Sequence, residues 1–98
     1  MSHFLYKLLP PRATFAQDMT EAEAAAMRDH VAYWQSLLAR GTALVFGPVV
    51  EPSGTWGLAV VAADSAENVH ALAAEDPAVT KAKASVQVCA MPGAIAAA

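Results

Sequence analysis

His30 is the residue in this chain best placed to move a proton. An imidazole titrates near neutrality, at about 6.5, so it can take or give a proton at working pH. The residues around it recur with a helical period. With Met27 at the centre of an apolar stripe, Val31, Trp34 and Leu38 fall close to it. His30, Leu37 and Tyr33 fall to one side, and Arg28, Asp29, Ser36 and Arg40 point to water. A histidine on that shoulder is either a packed polar group bonded to a backbone carbonyl or a general base beside a cleft. Asp76 is its candidate partner, because a carboxylate can orient an imidazole, fix its tautomer and stabilise the imidazolium. Followed by Pro77, Asp76 equally reads as a helix N-cap with proline at the first helical position.

Two further groups could complete a site. Arg12 opens a loop running to Met19 and could hold a substrate carboxylate or phenolate as a two-pronged donor, with Phe15 and Met19 as an apolar wall. Phe46, Gly47 and Pro48 combine an aromatic ring, close backbone approach and a stiff chain; with Trp56-Gly57 they could form a pocket floor. Ordinary strand-end and turn chemistry explains the same residues. No HExxH, phosphate-binding loop, dinucleotide-type GxGxxG or nucleophile elbow is present, so no cofactor is expected. His3 and His70 lack ligand spacing with His30, so no metal is expected either. Cys89 is alone, which rules out an intrachain disulfide, and its strand context predicts a buried filler.

The elements that must position these groups are legible in order. His3 to Leu9 reads as a strand stopped by Pro10-Pro11. Arg12 to Met19 reads as a loop. Thr20-Glu21-Ala22-Glu23 is a capping box opening a helix to about Arg40, with Gly41 as its left-handed stop. A strand over Thr42 to Phe46 ends at Gly47-Pro48. A turn at Glu51-Pro52-Ser53-Gly54 leads to a strand over Trp56 to Ala63. Asp64-Ser65-Ala66-Glu67 caps a second helix, Asp76-Pro77 starts a short extra turn, and Ser85 to Met91 alternates as a last strand. The order βαββαβ predicts an α+β, ferredoxin-like domain over 1–92: a four-stranded antiparallel sheet with both helices on one face. A frayed tail is expected over 93–98.

Composition bounds the partners. The chain has 98 residues, enough for one core. A hydrophobic fraction of 56% is high for this size. The sheet face without helices therefore predicts a covering second copy, a homodimer. A net charge of -3 with six scattered Lys and Arg argues against nucleic acid. The apolar runs are roughly half or less of the ~20 residues of a membrane span, and the N-terminus lacks the pattern of a secretory signal; a cytoplasmic protein is expected.

Taken together, Pro11-Arg12-Ala13-Thr14-Phe15, Asp18-Met19-Thr20, Glu23, Met27, His30, Tyr33-Trp34, Leu37, Gly41, Gly47-Pro48-Val49, Gly54, Gly57 and Asp76-Pro77 resemble the YCII-related family over nearly the whole chain. The resemblance implies a dimeric α+β barrel and makes His30 and Asp76 a catalytic pair in a cleft. The expected function is a homodimeric, cofactor-independent enzyme. It would act by elimination or isomerisation on a small organic molecule, aromatic or anionic, with Arg12, Phe15, Trp34, Phe46 and Gly47 as binding residues. The alternative is an accessory protein that binds a small ligand in the same pocket without turnover.

Overall fold

The computed structural model describes residues 1–97. The chain runs β1 (Ser2–Leu9), α1 (Phe15–Asp18), α2 (Glu21–Ala39), β2 (Ala43–Glu51), β3 (Gly54–Ala63), α3 (Ala66–Glu75), α4 (Pro77–Thr80) and β4 (Ser85–Ala90). The sheet order is β2-β3-β1-β4, and every neighbouring pair is antiparallel. This is the ferredoxin-like βαββαβ arrangement expected, with two short helices, α1 and α4, added at the connections.

Side-chain alternation divides the sheet into two unlike faces. Phe4, Tyr6 and Leu8 of β1 and Ala59, Val61 and Ala63 of β3 are buried under the helices with Trp34, Leu37, Val69 and Ala73. Burying a side chain such as Leu37 contributes roughly 1.5–3 kcal/mol. Phe15, Ala26 and Ala82 form a smaller cluster that joins α1, α2 and the connection after α4.

α2 begins at the capping box: the Glu23 N–H donates to the Thr20 hydroxyl and the Glu23 carboxylate accepts from the Thr20 N–H. It ends in a Schellman motif, with Gly41 at φ 78°, its N–H donating to the Leu38 carbonyl and the Thr42 N–H to that of Leu37.

Several expectations are corrected. Arg12 to Met19 is not all loop, because Phe15–Asp18 is helical. β2 does not stop at Phe46 but continues through Gly47 and Pro48 to Glu51, paired with β3. It lies at the sheet edge, where proline's missing N–H can face away from the ladder. The buried line of α2 runs through Ala26, Trp34 and Leu37, while Val31 and Leu38 are each 42% exposed. Its axis is rotated from the one drawn through Met27 because α2 packs on α4 as well as on the sheet. Cys89 is exposed, since β4 places it on the face without helices, opposite Leu5. Residues 94–97 carry no regular secondary structure, and residue 98 of the expected tail lies outside the described residues.

Candidate active site

Asp76 is the last residue before α4 and is fully buried. Its Oδ1 accepts from the Ala78 N–H at 2.9 Å, which is the helix cap read from Asp-Pro. The same oxygen lies 2.8 Å from His30 Nδ1. Its Oδ2 accepts from the Tyr6 hydroxyl at 2.8 Å and from Trp34 Nε1 at 2.9 Å. One oxygen therefore serves both as helix cap and as partner to the histidine, and the two oxygens together accept from four donors.

The charge state follows from these contacts. Burial disfavours the Asp76 carboxylate, but the hydrogen bonds from His30 and Trp34, the imidazole's charge and the Ala78 N–H outweigh it and hold the carboxyl below the ordinary aspartate range. An ionised carboxylate only accepts, so His30 Nδ1 carries the proton of the shared bond. Burial, then the charge of Asp76, pushes the Tyr6 hydroxyl far up, so it stays a donor.

His30 is mostly covered, with 13% of its side chain exposed. It lines a cavity of about 300 Å³ between α1, α2 and the strands β1, β2 and β3. Since Nδ1 is engaged by Asp76, Nε2 is the ring nitrogen left for a ligand. The walls are Phe15 and Met19 from α1 and its C-cap, Met27 and Trp34 from α2 and Phe46 from β2, with Gly57 of β3 in the floor. Trp34 packs against Tyr6 at 4.6 Å and Phe46 at 6.3 Å between ring centroids. Among the described residues, no lysine, arginine or carboxylate lines this space.

Of the residues expected in the site, the fold brings His30, Phe15, Trp34, Phe46 and Gly47 to the cavity, with Asp76 directly behind His30. Arg12 is not among the lining residues. Its Nε donates to Asp18 Oδ1, its Nη1 and Nη2 grip the two Glu23 oxygens at 2.8 Å each, and Nη2 also reaches the Asp18 carbonyl. The guanidinium lies 5.3 Å from the Phe15 ring and is spent on fixing α1. Arg12, and then the Thr20 N–H, hold the Glu23 carboxyl down at about 2. Thr14 and Arg12 hold Asp18 down.

Sequence reasoning missed Tyr6 and Met27 as site residues. Tyr6 had a signal: a tyrosine in the buried phase of a strand needs a partner for its hydroxyl. Among the described residues, no three His, Cys, Asp or Glu side chains converge as metal ligands.

The fold resembles that of 5-chloro-2-hydroxyhydroquinone dehydrochlorinase (TftG) from Burkholderia phenoliruptrix AC1100, solved as a complex with 2,5-dihydroxybenzoquinone. The TM-score is 0.63 at 21% sequence identity, over 88% of this chain and 89% of that one. No curated protein matches the sequence. The model of the YCII-related domain matches residues 9–92, a span that holds His30, Asp76 and most of the cavity wall, and the chain belongs to that family.

Proposed function

We propose that this protein is a small homodimeric enzyme that uses His30 as acid and base, oriented by Asp76, on a small aromatic molecule. The observation carrying this reading is the 2.8 Å bond between His30 Nδ1 and buried Asp76 at the wall of an apolar cavity. In an elimination, His30 Nε2 takes the proton from a C–H bond, whose electron pair forms the new double bond as the leaving group departs with its own pair. In an isomerisation, the imidazolium returns the proton to a different atom. Either way Asp76 balances the positive charge that forms on the ring. Aromatic walls from Phe15, Trp34 and Phe46 suit a flat ligand. The similarity in fold to a dehydrochlorinase crystallised with a dihydroxybenzoquinone supports the choice of chlorinated and hydroxylated aromatics as the first compounds to try.

The homodimer is supported by the sheet face that no helix covers, where Val45 is 51% exposed beside Val49, Leu58 and Val60. No helix among the described residues is long and apolar enough to cross a membrane.

The test is turnover against a panel of chlorinated and unchlorinated hydroquinones and phenols, with loss of chloride and of ring absorbance followed separately. His30→Ala should lower the rate by about 10²- to 10⁴-fold, the usual contribution of a general base, while circular dichroism stays unchanged. Tight binding across the panel without wild-type turnover would instead make this a ligand-binding protein. An unfolded His30→Ala would make the pair a structural one.

A further inference from the structure

Asp76 carries more donors than a residue needs in order to orient one imidazole. Its Oδ1 serves His30 and the α4 cap, while Oδ2 serves two side chains that come from different elements, Tyr6 on β1 and Trp34 on α2. Tyr6 and Trp34 are both about 1% exposed, and their rings pack 4.6 Å apart. Both also line the cavity beside His30. A carboxylate bonded on Oδ1 alone could pivot about its Cβ–Cγ bond. Two donors on Oδ2, held by the sheet and by the helix that carries His30, remove that freedom.

We propose that Tyr6 and Trp34 are positioning residues that clamp Asp76 Oδ2 from β1 and α2, and so hold His30 in the tautomer that leaves Nε2 free toward the cavity. This rests on the acid–base reading of His30 and Asp76, and adds the two side chains that make the pair's geometry independent of any ligand. With all its acceptor positions occupied and no exposure to solvent, Asp76 has no free lone pair for a proton. Proton traffic is confined to Nε2 on the cavity side. The titratable groups that face Asp76 are His30 and Tyr33 on α2 and Tyr6 on β1, with Glu75 next to it at the end of α3.

Nitrogen-15 and carbon-13 NMR on the whole protein reads both halves of the proposal without a substrate. In the wild type, at a pH where the ring is neutral, the His30 ring nitrogens should report a protonated Nδ1 and a bare Nε2. The Asp76 carboxyl carbon should remain in its ionised position to a lower pH than an ordinary aspartate. Tyr6→Phe removes one donor with almost no change in volume; Trp34→Phe removes the other at the cost of some packing. Each should move the Asp76 carboxyl transition to higher pH, because a donor to the charged form is lost. Each should also shift the ring nitrogens toward a mixture of tautomers, with the double variant moving furthest. Tyr33→Phe is the control, since that hydroxyl bonds the Leu72 carbonyl rather than Asp76, and it should leave the ring nitrogens in place. A wild-type His30 carrying its proton on Nε2, or Tyr6→Phe spectra identical to wild type at both residues, overturns the proposal. The wild-type measurement decides even where a variant fails to fold. A protein that passes this test yet turns nothing over separates failure of catalysis from failure of positioning.

Discussion

At the scale of single residues, the site is organised around a carboxylate rather than around the histidine that attracts attention first. Asp76 is buried and charged, a state tolerated only when every acceptor position is filled. Truncation to Asp76→Ala would strand the Tyr6 hydroxyl, the Trp34 indole N–H and the Ala78 N–H together, as well as freeing His30. The expected loss is about 3–5 kcal/mol, the usual result of breaking a buried charged network, measured by urea unfolding at neutral pH. The pH dependence has a definite sign. Because the folded carboxyl lies below the ordinary aspartate value of 3.8, its contribution is complete above that value. It is lost as pH falls through 3.8 and on through the lower folded value. The stability gap between wild type and Asp76→Ala should therefore narrow below about pH 4; a gap constant down to pH 2 would mean that Asp76 is not held as an anion.

At the scale of elements, α1 closes one side of the cavity, and Arg12 fixes α1 to α2. The Thr14 hydroxyl bonds Asp18 Oδ2 at 2.6 Å, and Glu23 both caps α2 and accepts two bonds from Arg12. Arg12→Ala should leave α2 capped by Thr20 but release α1, so that amide exchange over Phe15–Asp18 accelerates at least tenfold while the interior of α2 is unchanged. Unaltered exchange would mean that Phe15 packing on Ala26 and Ala82 is sufficient by itself. This network also marks where the sequence stops being readable. The capping box, the Gly41 stop and the Asp76-Pro77 cap are local patterns, and the structure has all three. The continuation of β2 through Pro48 depends on which strand lies at the sheet edge, and that is a property of topology. The rotation of α2 that buries Ala26 and Leu37 and leaves Val31 and Leu38 each 42% exposed depends on α4, an element four residues long. Arg12 was legible as a cation near the site, but its carboxylate partners lie 6 and 11 residues away and could not be told from solvent-facing charges. Tyr6 was legible as core but not as a donor, because its acceptor is 70 residues distant.

At the scale of the whole molecule, the sheet is the boundary between two unlike environments. One face is closed by helices, cavity and core. The other presents Leu5 and Leu9 of β1, Val45 and Val49 of β2, and Trp56, Leu58 and Val60 of β3, by the alternation and register of the strands. The charged side chains Lys7 and Glu51 on this face both meet Trp56: the Lys7 ammonium lies 4.8 Å over its ring, and its indole N–H donates to the Glu51 carboxylate. A contiguous apolar surface of this kind is uncommon on a monomer, and a second copy laid face to face would bury it. Val60 sits near the centre, paired with Leu5 on one side and Val45 on the other. In a two-fold assembly, Val60→Asp places two carboxylates in the buried interface, one from each copy, each without a counter-charge. Light scattering at micromolar concentration should find the wild type as a dimer and Val60→Asp as a monomer. The His30–Asp76 pair lies on the opposite face, so its ring-nitrogen signature should survive in that monomer if folding does not depend on association. A wild type that remains monomeric at hundreds of micromolar would leave the sheet face to some other partner and remove the homodimer from the proposal, without touching the cavity or the pair behind it.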